Sequence, residues 1–354
     1  MTVRVALIGC GFVGRFHSAG IRAVVRRELL DVEYAVVCDE HEDRARSFAD
    51  LTGAEPTTDV AAVLDAPDID VIYVCVPTAY HKDLVLRAAA NGKHVFCEKP
   101  LATNLADVEE MVAAVEAAGV KAGVGLVLRH SPILNVLKDL MDDPTLGRLM
   151  TIVFRDDQFF PITGQYMSDW RKDRSIVGAG TLLEHSIHDV DILNWFGGQV
   201  TGVHGIVRNF AGHEGVEDLV VSTIDFSNEA EASLTSIWHS IMGRPSTRHL
   251  EVFFEKGLFI VDHDYSGPIE IQVHALNPQT VSEDEVRERY LAKVGLQGPE
   301  FEGLLRYSLE DYFFLRAVAE NREPFPNFGT ALKAHRVVDA IYRSGAAGGE
   351  LISL

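Results

Sequence analysis

A short apolar run, Val3–Ile8, passes directly into Gly9-Cys10-Gly11-Phe12-Val13-Gly14, and a helical pattern over 13–28 follows. G-x-G-x-x-G is a weak pattern alone; strand before and helix after give it meaning. The first glycine permits the tight turn, the second lets a diphosphate approach the backbone, and the third lets helix and strand pack closely. The helix N-terminus then presents free N–H groups and the positive end of its dipole to that diphosphate. A second strand, Val32–Cys38, ends at Asp39, 25 positions after Gly14. A carboxylate there suits both ribose hydroxyls of an adenosine. Glu40 follows rather than Arg, so the local charge repels a 2′-phosphate and favours NAD over NADP. Gly9, Gly11, Phe12, Val13, Gly14 and Asp39 are the candidate dinucleotide residues.

Strand and helix continue to alternate. Asp59 caps a short predicted helix to about 65, and the β-branched run 69–76 is a central strand stopped by Pro77. Residues 79–91 are helical with Gly92 as the stop, His94–Cys97 is a strand, Asn104 caps Leu105–Ala118, and 121–127 is one more strand. Such alternation builds a parallel sheet covered on both faces. After a helix near 131–141 the pattern changes. A strand at 149–154 and a helix within 178–196 precede strand runs at 200–207, 219–226, 232–238, 250–255, 258–261 and 269–274, some divided by short turns. A charged helix at 282–294 reads as a lid or contact element, and helices near 304–321 and 330–343 close the chain. The predicted fold is α/β: an N-terminal Rossmann doubly wound parallel sheet over 1–127, then an α+β domain over 128–354 with a large, mostly antiparallel open sheet. The last helix can pack back on the first domain.

The 354 residues carry 52 acidic against 32 basic side chains, a formal charge of −20. That surface repels phosphate backbones and anionic lipids, so nucleic acid and membrane are poor partners. No run approaches the roughly 18 apolar residues of a membrane span, and no signal-peptide pattern opens the chain; a cytoplasmic location is expected. Cys10, Cys38, Cys75 and Cys97 form no C-x-x-C pair, so neither a disulfide framework nor a cysteine metal site is expected.

Two segments carry candidate chemistry. Glu98-Lys99-Pro100 follows the strand His94–Cys97, and ligands of open α/β sheets sit at the carboxyl ends of strands. Lys99 can point toward such a ligand, with Glu98 holding or tuning it. In Gly178–Asp191, read as a helix, Glu184, His188 and Asp191 fall at i, i+4 and i+7 and share one face. An imidazole titrates near neutrality, so His188 can accept a hydroxyl proton. The same residues with His185 can instead ligate zinc, or be polar groups satisfied structurally.

These motifs, with Val74-Cys75-Val76-Pro77, His81, Gly92-Lys93-His94-Val95 and Trp170-Arg171, resemble the Gfo/Idh/MocA family of oxidoreductases over essentially the whole chain. The resemblance implies a nicotinamide-binding Rossmann domain, NAD as cofactor, no metal, and a second domain whose open sheet serves a homodimer or homotetramer. It also implies Lys99 and His188 as the catalytic pair, converging from the two domains on a hydroxyl of a sugar, inositol or related polyol. Many members carry Asp where this chain has Glu184, which therefore either touches substrate or orients His188. Pro77, Thr78, His81 and Glu98 are expected to shape the cofactor groove, and Arg129, Tyr166, Trp170, Arg171 and Asp191 to meet substrate. Two alternatives stay open at this point: a keto-sugar reductase, and an NAD-dependent glycosidase working by transient oxidation.

Overall fold

A computed structural model describes residues 2–163, 168–298, 301, 304–305 and 309–354. The chain gathers into two compact units, Met1–Leu126 with Gly298–Leu332, and Val127–Gln297 with Lys333–Leu354. A single cut near residue 127 therefore leaves out a late segment, 298–332, that completes the first unit.

The first unit is a six-stranded parallel sheet in the order β3-β2-β1-β4-β5-β6, where β1 is Val3–Ile8, β2 Val32–Cys38, β3 Glu55–Thr57, β4 Val71–Val74, β5 His94–Cys97 and β6 Ala122–Val124. The chain reverses direction across the sheet between β1 and β4, the switch point where such sheets bind ligands. Helices α1 (Phe12–Arg26), α2 (Glu42–Thr52), α3 (Val60–Asp65), α4 (His81–Ala90) and α5 (Leu105–Ala118) make the crossovers. Ile8, Ile72, Val74, Val95 and Val124 form one continuous apolar core with Val85, Val108 and Met111 of α4 and α5. Caps fall where the sequence places them: Asp59 accepts from Ala62 N–H at 2.9 Å and Asn104 from Asp107 N–H at 3.0 Å.

The second unit carries a nine-stranded sheet in the order β14-β13-β12-β11-β7-β10-β9-β8-β15. Its strands are β7 (Leu149–Phe159), β8 (Val200–Arg208), β9 (Leu219–Phe226), β10 (Glu231–His239), β11 (Thr247–Phe254), β12 (Gly257–Val261), β13 (Ile269–Val273), β14 (Gln279–Val281) and β15 (Ile352–Ser353). Every neighbouring pair is antiparallel except β7 and β10. Burial alternates along β9, β10 and β11, as expected for a sheet with one covered face. The helices are α6 (Pro132–Met141), α7 (Arg174–Val177), α8 (Thr181–Glu184), α9 (Ile187–Gly197) and α10 (Glu283–Lys293), with α8 against β9 and β10 and α9 against the β7–β10 pair. Helix α11 (Glu310–Ala319) belongs to the first unit, and α12 (Phe328–Ala346) begins there and ends in the second. No helix among the described residues is long and apolar enough to cross a membrane.

The helix expected within 178–196 is broken. At His185 the backbone leaves helical geometry (φ −123°, ψ −61°), and α9 starts two residues later. The break follows from side-chain demand: Ser186 Oγ donates to Asp156 Oδ2 at 2.9 Å, and His185 Nε2 lies 3.0 Å from the same oxygen. Glu184 therefore ends one helix and His188 lies in the first turn of another, and the shared-face argument for them does not hold.

Candidate active site

In the first unit, the strand ends line up at the switch point. Gly9 N–H donates to Cys38 O at 2.8 Å, Cys75 N–H to Ile8 O at 2.8 Å, and Glu98 N–H to Val74 O at 3.0 Å. The three motif glycines have separate reasons. Gly9 sits at φ +102° with its Cα against the Cys75 carbonyl, where a side chain has no room. A Cβ at Gly14 would overlap the Gly9 carbonyl. A Cβ at Gly11, the residue before α1, would meet nothing within 4 Å. The protein thus leaves open the space that a diphosphate needs at the helix N-terminus. Phe12 and Val13 open α1.

Asp39 is buried and clipped to this turn. Its Oδ2 accepts from Cys10 N–H at 2.8 Å and its Oδ1 from His41 N–H at 2.9 Å. Both oxygens keep lone pairs for further donors. Arg44 Nη1, a neighbour that the sequence pattern does not reveal, stands 3.9 Å from Oδ1. The open backbone at Gly11, the free helix end and the fixed carboxylate fit a dinucleotide.

After β4, Pro77 precedes a 3₁₀ turn, Thr78–Tyr80, in which Thr78 is buried. His81 is buried too, with Nε2 2.8 Å from Val76 O and Nδ1 2.9 Å from Pro100 O. It ties the β4 exit to the Glu98-Lys99-Pro100 segment, whose Lys99–Pro100 bond is cis. Lys99 is half-buried, and its N–H donates to Glu98 Oε2 at 3.0 Å. Glu98 Oε1 lies 2.8 Å from Nε2 of buried His17, whose Nδ1 lies 2.8 Å from Asp311 Oδ1. Sequence gives no hint of the last link, because 294 positions separate its ends.

In the second unit, Glu217 builds the entry to α8. Its carboxylate accepts from Gly180 N–H at 2.6 Å, Leu182 N–H at 3.1 Å and Tyr342 O–H at 2.8 Å, while Tyr342 Oη accepts from Leu183 N–H at 3.2 Å. Gly180 is required because a Cβ there would overlap the Glu217 backbone. Glu184 is buried at the end of this turn, 3.4 Å from Arg171 Nε, and the Arg171 guanidinium lies 4.6 Å over the Trp170 ring. Three expected site residues, Glu184, Trp170 and Arg171, are thus brought together. His188 is buried in the first turn of α9. Arg129 and Asp191, both expected to meet substrate, are engaged with each other: Nε and Nη2 donate to the two carboxylate oxygens at 2.6 and 2.8 Å. Tyr166 lies outside the described residues.

Below His188, Arg248 sits among acids. It donates from Nε to Asp189 Oδ1 at 2.7 Å and from Nη1 to Asp264 at 2.7 Å, with Asp156 3.4 Å from Nη2. Burial pushes the Asp189 carboxyl up to about 8; Arg248 pulls it down and Asp156 adds to the rise. All four cysteines are buried and free.

Residues 3–126 match the oxidoreductase family with an NAD-binding Rossmann fold, and residues 134–260 match the GFO/IDH/MocA C-terminal domain. The chain is similar to the inositol 2-dehydrogenase of Rhizobium meliloti, with 27% identity over 98% of each chain. It is 31% identical to the scyllo-inositol 2-dehydrogenase (NAD(+)) of Bacillus subtilis, over 66% of this chain and 68% of that one. Its fold matches that of levoglucosan dehydrogenase in complex with NADH and levoglucosan, with a TM-score of 0.85 across 100% of this chain and 99% of that one, at 22% identity. The chain belongs to the GFO/IDH/MocA family of NAD-binding oxidoreductases.

Proposed function

We propose that this protein is a cytoplasmic dehydrogenase that oxidises a secondary carbinol of an inositol, sugar or anhydro-sugar. Bound NAD would supply the hydride acceptor. Lys99, as ammonium, stabilises the developing alkoxide. His188 takes the hydroxyl proton. Glu184, held by Arg171, orients the substrate side of α8. Trp170 offers an aromatic face suited to a polyhydroxylated ring. The observation that carries this reading is the fixed Lys99 segment at the end of β5, clamped by Glu98 and His81 beside an open diphosphate turn. The substrate class rests on the relatives, whose names cite inositols and levoglucosan.

An assembly of two or four copies through the open sheet face is part of the proposal. Ile206 of β8 and Val221 of β9 are cross-strand partners and both exposed, an apolar pair suited to a subunit contact.

The test is a panel of inositols, levoglucosan and aldoses with NAD, followed at the NADH absorbance. Turnover on at least one is expected. With that substrate, Lys99→Ala and His188→Ala each lower kcat by roughly 10²-fold or more while NAD still binds. Full turnover in either variant refutes the assignment.

A further inference from the structure

We propose that His17 and Asp311 are positioning residues that act on Lys99 through Glu98, forming a buried charge relay, Asp311–His17–Glu98–Lys99, inside the first unit. The proposal rests on the reading of Lys99 as catalytic.

Four separate elements meet here. His17 comes from α1, Glu98 from the exit of β5, Asp311 from α11, and Tyr73 from β4. Both imidazole nitrogens are taken by carboxylates at 2.8 Å, and Glu98 spends its second oxygen on the Lys99 N–H. The surroundings are apolar: the Phe96 ring lies 4.9 Å from His17 and Tyr73 5.7 Å away, with Phe314 against both. Space has been cleared for the carboxylates alone. A Cβ at Gly20 would overlap the Asp311 carboxylate, and one at Gly125 would lie 2.7 Å from Glu98 Cδ.

Such a chain works only if its charges alternate. The groups facing His17 are Glu98, Asp311, Glu310, Tyr73 and Cys75. Burial pushes the imidazole down, but Asp311, Cys75 and the hydrogen bond to Glu98 reverse this and hold it well above its usual range. Burial likewise pushes Glu98 up, yet the His17 hydrogen bond and charge, with Lys99 behind them, keep it low. Burial raises the carboxyls of Glu310 and Asp311 above their usual range, and the charge of His17 opposes both shifts, with its hydrogen bond opposing the one at Asp311 as well. The imidazolium thereby keeps Glu98 ionised, and ionised Glu98 favours the ammonium of Lys99. A neutral residue at 17 would leave a buried carboxylate without its cation, and Glu98 would take up a proton.

The consequence is readable without any substrate. Lys99 in the full-length protein is titrated by competitive acetylation with acetic anhydride and peptide mass spectrometry, with exposed Lys256 as internal control. In His17→Gln and Glu98→Gln the Lys99 labelling midpoint is expected to fall by about one pH unit, while Lys256 is unchanged. Asp311→Asn, which keeps shape and volume, is expected to give a smaller shift in the same direction. It is the deciding variant where His17→Gln does not fold. A Lys99 midpoint identical to wild type in folded Asp311→Asn overturns the relay. Retained turnover in Lys99→Ala overturns the catalytic reading instead, and leaves the titration result standing.

Discussion

The two units bury a cation among carboxylates in opposite ways. In the first, His17 lies between Glu98 and Asp311, one link from the N–H of Lys99. In the second, Arg248 lies among Asp156, Asp189 and Asp264, beneath the helix that carries His188. An imidazolium exists only while its surroundings sustain it, whereas a guanidinium keeps its charge at any pH a protein survives. In the first arrangement the cation itself depends on protonation; in the second the cation is a permanent bolt, and an acid, Asp189, carries the titration. The contrast teaches that one buried motif can serve tuning or fastening, and the cation decides which.

The bolt should break hardest. Arg248→Met leaves Asp156, Asp189 and Asp264 facing one another without their cation and should cost about 3–5 kcal/mol, measured by urea unfolding. A loss under 1 kcal/mol would mean that the acids simply protonate, and would erase the difference between the units. The glycine turn sharpens the comparison next. Gly14→Ala should destabilise by about 1–3 kcal/mol, because the new methyl meets the Gly9 carbonyl. Gly11→Ala should leave the melting temperature unchanged and weaken NAD binding, measured by calorimetry. Equal stability losses at both positions would show that Gly11 is structural.

The last test reads a slope rather than a single loss. Asp189 has a folded pKa of about 8 against an ordinary 3.8, so between those values the folded chain holds a proton that the unfolded chain lacks. Its contribution to stability therefore declines as pH rises across that window, by up to about 1.4 kcal/mol per pH unit. Asp189→Asn should flatten the fall in stability between pH 5 and 8. An unchanged slope would place the titration elsewhere.

How far the sequence could be read depended on chain separation. The diphosphate turn, Asp39 and the caps at Asp59 and Asn104 are legible because partners lie close by or at strand ends with a known spacing. Helix α2 left little signal, since only Ala45 and Phe48 of its eleven residues are buried. The break at His185 was hidden because the apolar period runs straight through it. Its cause, Asp156, is about 30 residues upstream. Arg248 and Asp156 are 92 positions apart, and nothing local marks Arg248 as more than a strand residue. The same holds for Arg129 and Asp191, whose mutual pairing removes the charge that made each look available to a ligand.

The segment 298–332 supplies Asp311 and Phe314 to the unit whose first strand starts at Val3. During synthesis, then, the first stretch of the nucleotide half is made before Val127–Gln297 and its closing stretch only after them. More than 170 residues of its partner are made in between. Domains made in one stretch fold as they emerge; this one waits with an empty berth beside Tyr73 and Phe96, and a gene cut after residue 126 would leave that berth empty for good.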